Sequence, residues 1–66
     1  MKIKLNGNII DIENQISLET LIQSQNINFK NFIIEKNLEI IKKENYQNTF
    51  LNEGDSIEIV TLCAGG

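Results

Sequence analysis

The chain has 66 residues, a formal net charge of −3, one cysteine and no histidine. A chain of this length forms one small domain, and a single cysteine excludes an internal disulfide and argues against a zinc site. The negative charge argues against binding to nucleic acid, which requires clustered Lys and Arg side chains. Because no apolar run is long enough for a signal peptide or a membrane span, we expect a cytoplasmic protein that binds no membrane. Without histidine, a Ser or Cys nucleophile lacks its usual base, so a self-contained enzyme is not expected.

The first predicted element is a β-hairpin with Asn6-Gly7 as its turn. These residue types readily adopt the positive φ angles that a two-residue type I′ turn requires. In this register Ile3 faces Ile10, and apolar side chains share one face of the hairpin while charged side chains share the other. Ile9 falls on the charged face as an exception.

A helix is predicted over residues 18–25. Ser17 is a suitable N-cap, and Glu19 lies in the first turn, where the helix dipole favours a negative charge. Ile16 and Leu21 hold the positions of a hydrophobic staple. The spacing places an inward stripe on one side of the helix: Leu18, Leu21, Ile22 and Gln25.

Two further strands are predicted at residues 32–35 and 38–41, joined by a turn at Lys36-Asn37. Residues 42–48 are polar and predict a loop that Tyr46 anchors. A turn at residues 53–55 precedes the last strand, residues 56–62. The order β-β-α-β-β-β predicts an α+β fold in which a mixed sheet curls over one helix.

The last strand carries apolar residues on both faces. If Ile57 and Ile59 point toward the helix, Val60 and Leu62 point to the opposite, open face of the sheet. An exposed apolar patch just before the end of the chain is a candidate docking surface. Partial coverage of both faces by a loop is an open alternative.

The chain ends in Cys63-Ala64-Gly65-Gly66. We expect a folded domain over residues 1–62 and a flexible tail over residues 63–66, because nothing in the last three residues can pack. Two residues without Cβ can pass through a channel that excludes side chains, and a fully extended tail reaches roughly 13 Å beyond the fold. The alternative, a frayed terminus without function, stays open on the tail alone.

Together these segments resemble the ubiquitin-like β-grasp sulfur carriers, most closely the ThiS family of thiamine biosynthesis. The resemblance extends over the whole chain and rests on four segments: the opening hairpin at residues 2–7, the helix start at 17–22, the segment 53–60 and the terminal Gly65-Gly66. This chain departs from the family in having Lys42 and Tyr46 where Pro and Trp are common. Cys63-Ala64 before the diglycine is also unusual.

The resemblance implies a protein co-substrate that itself binds no cofactor. An adenylating enzyme similar to the ubiquitin-activating enzymes (ThiF type), using its own ATP and Mg²⁺, would activate the carboxylate of Gly66. A cysteine-derived persulfide would convert it to a thiocarboxylate, and a thiazole synthase (ThiG type) would receive the sulfur. Gly65 would allow passage into the active site of the partner. The expected partner contacts are Val60, Leu62, Cys63 and Ala64.

Several alternatives remain open at this point. The sulfur acceptor could be molybdopterin, a tRNA base or cysteine, although the molybdopterin carriers often have Pro before the tail and this chain has no Pro. Attack of an amine on the activated Gly66 would make the chain a ubiquitin-like protein modifier. A plain interaction module would use the sheet face without tail chemistry. We interpret Cys63 as a small apolar residue at a strand end, with a carrier thiol or a disulfide to the activating enzyme as the alternatives.

Overall fold

A computed structural model describes residues 1–25 and 31–61. Within these residues the chain forms five strands, one α-helix and one 3₁₀ helix. Their bounds are β1 (Lys2–Leu5), β2 (Asn8–Asp11), α1 (Leu18–Ser24), β3 (Phe32–Lys36), β4 (Glu39–Ile41), the 3₁₀ helix (Lys43–Asn48) and β5 (Ser56–Thr61).

The five strands form one mixed sheet in the order β2-β1-β5-β3-β4. β1 and β5 are parallel at the centre, and the other three pairings are antiparallel. The core lies between one face of this sheet and α1, so the predicted element order and the predicted mixed sheet over one helix are confirmed. The 3₁₀ helix occupies the segment for which a loop was predicted.

The first hairpin confirms the predicted turn and register. Asn6 and Gly7 have φ angles of 49° and 85°, as a type I′ turn requires. Ile3 pairs with Ile10, and Ile3 is fully buried. Ile9 is 66% exposed, in agreement with its predicted position on the outer face.

The second hairpin turns one residue later than predicted. Lys36 pairs with Glu39, so the turn residues are Asn37 and Leu38, with φ angles of 53° and 72°. A leucine at positive φ is unfavourable because its Cβ crowds the backbone. Contacts outside the hairpin stabilise this turn: the Asn37 side chain accepts a hydrogen bond from the Ser56 backbone nitrogen at 2.9 Å.

The buried side chain of Asp55 completes this anchor. Its carboxylate accepts hydrogen bonds from Asn37 Nδ2 at 3.0 Å and from the Asn52 backbone nitrogen at 2.8 Å. Lys36 Nζ lies 3.8 Å from the same carboxylate. Asp55 therefore joins the β3–β4 hairpin to the start of β5, a role that the sequence analysis did not assign to it.

The helix α1 begins as predicted and ends one residue earlier. Ser17 Oγ accepts a hydrogen bond from the Thr20 backbone nitrogen at 3.1 Å, which confirms the N-cap. Leu18 and Leu21 are fully buried. The expectation that Gln25 belongs to the inner stripe is wrong: Gln25 is the exposed C-cap, where its polar side chain stays in water.

The segment after the 3₁₀ helix supplies a core residue that the sequence analysis missed. The Leu18 backbone nitrogen donates to Thr49 O at 2.7 Å, and the Leu51 backbone nitrogen donates to Ile16 O at 3.0 Å. This short pairing buries Leu51 completely. The buried core residues are Ile3, Leu5, Leu18, Leu21, Ile34, Tyr46, Leu51 and Ile57.

Tyr46 confirms its predicted role as an anchor. Its side chain is buried, and its ring stacks on Phe32 with the ring centres 6.3 Å apart and the planes 16° apart. The 3₁₀ helix is thereby held against α1 and the sheet. Over residues 1–25 and 31–61, neither helix is long and apolar enough to cross a membrane.

Tyr46 offers a test of this packing. Burial raises the pKa of its phenol above the ordinary value of 10.0. The folded protein therefore keeps the phenol protonated to higher pH than the unfolded chain does. The resulting stabilisation is complete below the ordinary pKa and is lost as pH rises through the raised pKa. We expect the phenolate absorbance of the native protein to titrate at higher pH than that of the denatured protein.

The measurement is unambiguous because the chain has one Tyr and no Trp. Tyr46→Phe serves as the control and should remove this part of the alkaline loss of stability. Equal titration midpoints in the native and denatured protein would contradict the burial of the phenol.

Candidate functional site

The structure places the described part of the predicted site on β5. Ile57 is fully buried and Ile59 is half-buried against the core, as predicted. Val60 lies on the opposite side of the sheet and is 38% exposed. The other predicted site residues lie outside the described residues, and their roles stay predictions: Leu62, Cys63, Ala64, Gly65 and Gly66.

Val60 belongs to a larger surface, which we call the open face. Its cross-strand partner on β3 is Ile33, and the next pair on the same face, toward the start of β5, is Glu35 opposite Glu58. Glu35 also pairs with Ile40 on the edge strand β4, and Ile40 is 65% exposed. Successive residues of a strand alternate between faces, so these five side chains share the side that α1 does not cover. The open face consists of Ile33, Glu35, Ile40, Glu58 and Val60.

The sequence analysis identified only Val60 of this set. Ile34 is buried, and alternation along β3 from a core position at Ile34 would have placed Ile33 and Glu35 on the open face. The pairing of Glu35 with Glu58 depends on the register between distant strands and carries no local signal. The described residues leave Val60 and Ile40 exposed, so no loop among them covers this side of the sheet.

Asn6 extends the pairing of β5 beyond the point where β1 ends. β1 ends at Leu5, whereas β5 continues to Thr61. The Asn6 backbone nitrogen donates to Ile57 O at 2.9 Å, and Asn6 Oδ1 accepts from the Ile59 backbone nitrogen at 2.8 Å. The side chain of Asn6 therefore acts as the strand partner that β1 no longer supplies.

On its other side β5 is paired to β3 as far as Thr61, which faces Phe32. The strand is held on both sides up to Ile59 and on one side up to its last residue. It is therefore held in a fixed direction up to Thr61, the last described residue before the predicted tail region of residues 63–66.

The described residues offer few other features suited to catalysis or to ligand binding. Residues 1–25 and 31–61 contain no group of three side chains suited to holding a metal ion. A shallow groove of about 670 Å³ lies on the helix side, between α1 and the 3₁₀ helix. Ile22, Phe32 and Tyr46 form part of its lining. This groove and the open face lie on opposite sides of the sheet.

Comparison with known proteins identifies a family and a fold. The model of the ThiS family matches residues 3–66. The structure superposes with a TM-score of 0.87 on the crystal structure of the thiamine biosynthesis protein ThiS from Geobacter metallireducens, at 20% identity and with both chains fully covered. An NMR structure of a thiamine biosynthesis protein from the same organism gives a TM-score of 0.80 at 22% identity, covering 100% of this chain and 88% of that chain. The predicted β-grasp fold is confirmed.

Sequence relatives include a much longer protein. A thiazole synthase of Paramagnetospirillum magneticum is 32% identical over 66 residues, and the chain spans only 20% of the length of that relative. An uncharacterized protein of Trieres chinensis, ycf40, is 32% identical over 62 residues, which cover 94% of this chain and 85% of that one. A protein of the same description from Porphyra purpurea is 27% identical over 66 residues, all of this chain and 93% of that one.

The hydrogen bond of Asn6 can be tested with two variants. Asn6→Gly keeps the positive φ of the turn but removes the side-chain acceptor, and we expect it to lower the free energy of unfolding by about 1 kcal/mol. Hydrogen exchange at the Ile59 amide should accelerate in the same variant. Asn6→Asp retains an acceptor oxygen and should keep the Ile59 amide protected. Unchanged protection of this amide in Asn6→Gly would contradict the proposed strand extension.

Proposed function

Because the chain belongs to the ThiS family, we propose that it is a sulfur carrier of thiamine biosynthesis whose cargo is bound at the carboxyl group of Gly66. The observation that carries this proposal is the family match over residues 3–66. In this function the chain is a co-substrate, consumed and regenerated by its partners, and it catalyses no step itself.

The chemistry begins with activation of a poor electrophile. An α-carboxyl group has an ordinary pKa of roughly 3.3–3.7, so it is an anion at neutral pH and resists attack by nucleophiles. An adenylating partner binds ATP and Mg²⁺ and presents the α-phosphate to this carboxylate. A carboxylate oxygen of Gly66 attacks the α-phosphorus, pyrophosphate leaves, and an acyl-adenylate forms.

Sulfur then replaces the adenylate. The terminal sulfur of a cysteine-derived persulfide attacks the carbonyl carbon, AMP leaves, and an acyl disulfide forms. A second thiol of the partner then attacks the sulfur atom through which the acyl disulfide is bound to the partner, and the S–S bond of the acyl disulfide breaks. This step forms a disulfide on the partner and releases the carrier with a thiocarboxylate on Gly66.

The fold is consistent with a carrier whose carboxyl group reacts in the active site of a partner. β5 is held on both sides up to Ile59 and on one side up to Thr61, so the described end of the strand has a fixed position. The open face includes this end of the strand, where Val60 contributes an exposed apolar side chain. A partner that docks on the open face would hold the end of β5, which precedes the flexible tail, at a defined position relative to its own active site. Precise positioning of this kind can account for a large part of a catalysed rate.

The acceptor of the sulfur is proposed to be a thiazole synthase. A relative named thiazole synthase contains a segment similar to this entire chain within a protein about five times as long. A carrier joined to its acceptor reaches it at high effective concentration, so such a joined protein is consistent with direct sulfur transfer. No comparable observation favours molybdopterin, a tRNA base or a lysine of another protein as the acceptor.

Gly65→Val tests the passage of the tail into the adenylating partner. A branched side chain at this position widens a tail that must enter a narrow channel. We expect the variant to lose at least about tenfold in the rate of carrier-dependent exchange between ATP and pyrophosphate, a barrier increase of about 1.4 kcal/mol. Its thermal unfolding should be unchanged.

Thr61→Val provides the matched control, because it places the same valine side chain at an exposed position of β5, outside the diglycine tail. It should support exchange at a rate close to that of the unmodified protein. Normal exchange by Gly65→Val would contradict the channel, and absence of exchange with the unmodified protein and an active enzyme would contradict the proposed function.

A further inference from the structure

Two like charges face each other at the centre of the open face. Glu35 on β3 and Glu58 on β5 are direct cross-strand partners, and both side chains point away from α1. Like charges in directly opposite positions destabilise a sheet. Within residues 1–25 and 31–61, neither carboxylate forms an ion pair or a side-chain hydrogen bond. The fold itself therefore gains nothing from this arrangement.

Apolar side chains flank the two carboxylates toward β4 and toward the end of β5. Lys4 lies on the same side of the sheet, opposite Ser56, and forms no ion pair with either carboxylate among the described residues. The next outward pair along the same strands is Ile33 opposite Val60, and Ile40 lies beside Glu35 on β4. Glu58 is exposed and Glu35 is half-buried. A partner that covers this surface would remove water from around the two negative charges, and this is favourable only if the partner supplies a positive charge.

We propose that the open face binds an arginine side chain of the adenylating partner, whose guanidinium bridges Glu35 and Glu58 while apolar residues around it contact Ile33, Ile40 and Val60. This inference rests on the proposed function, since it assigns the partner of the same carrier. It identifies the two glutamates as specificity-determining residues of docking.

The geometry favours arginine over other cations. Directly opposite side chains in a sheet have Cβ atoms about 4.5–5.5 Å apart. A planar guanidinium has five N–H donors in a fixed arrangement and can donate to two carboxylates at once, whereas an ammonium group is a compact point charge. Two carboxylates are too few for a metal site, and the described residues bring no third ligand to them.

The tail itself explains why recognition must come from the folded domain. Gly65 and Gly66 have no side chains, so the reacting end of the carrier presents little that an enzyme could distinguish. The adenylating partner consumes ATP when it adenylates the tail, and it must recognise the carrier before that reaction. Complementary charges also accelerate association, and the net charge of −3 acts in the same direction.

The test is the double substitution Glu35→Gln and Glu58→Gln. We expect it to raise the KM for the carrier in the ATP–pyrophosphate exchange reaction at least tenfold and to leave kcat nearly unchanged. The salt dependence of KM should become weaker, because the charged contact is lost. Thermal unfolding of the free carrier should move to higher temperature, because the repulsion is removed.

A matched control changes the net charge by the same amount elsewhere. Glu13 and Glu44 are exposed and lie outside the open face, on the loop before α1 and in the 3₁₀ helix. Glu13→Gln with Glu44→Gln should leave KM close to that of the unmodified protein. An equal rise of KM in both double variants would show that KM depends on net charge alone, and this would overturn the proposal.

Calorimetric binding to the adenylating enzyme without ATP separates this inference from the proposed function. Weaker binding of the Glu35→Gln, Glu58→Gln variant than of the control variant supports the docking contact whether or not sulfur transfer follows. Equal binding of the two variants overturns it. Loss of binding to thiazole synthase alone would assign the surface to that partner and overturn the assignment made above.

Discussion

The parallel pairing of β1 with β5 is the constraint on which the rest of this structure depends. It joins Lys4 to Ser56 and Leu5 to Ile57, residues from opposite ends of the chain. Parallel strands require a long crossover connection, and here α1, the β3–β4 hairpin and the 3₁₀ helix all lie within it. Because β5 is fixed at the centre of the sheet, Ile57 lies in the core and the last described residues of the strand have a defined position.

This central strand contributes to stability on one face and, in the proposed function, to recognition of a partner on the other. Ile57 and Ile59 contribute to the core, whereas Glu58 and Val60 face away from it. A small domain has little stability to spare, yet the open face retains a repulsive carboxylate pair and exposed apolar groups. Natural proteins accept such local costs where a surface has to bind a partner.

Much of the fold could be predicted because its strongest signals are local. Asn6-Gly7 defines a turn with its own backbone preferences, and Ser17 caps the following helix. The turn at Asn37 and Leu38 was misplaced by one residue because contacts with Asp55 and Ser56, distant in sequence, stabilise it. Such tertiary contacts outweigh the preference of an isolated leucine for negative φ.

For the candidate site too, the features with a local sequence signal were predicted and those that depend on distant contacts were not. Alternation within one strand was sufficient to place Val60 opposite the core. The meeting of Glu35 with Glu58 and the hydrogen bond from Ile59 to Asn6 depend on strand order and register, which a single sequence does not specify. Leu51 entered the core through an irregular segment without periodicity.

The most direct test of the central claim is the intact mass of the protein after incubation with ATP, the adenylating enzyme and a sulfur source supplied with cysteine. The account predicts a mass gain equal to the exchange of one oxygen for sulfur, located on Gly66 by fragmentation. An unchanged mass, with an enzyme shown to form the adenylate, would contradict the assignment of this chain as a sulfur carrier.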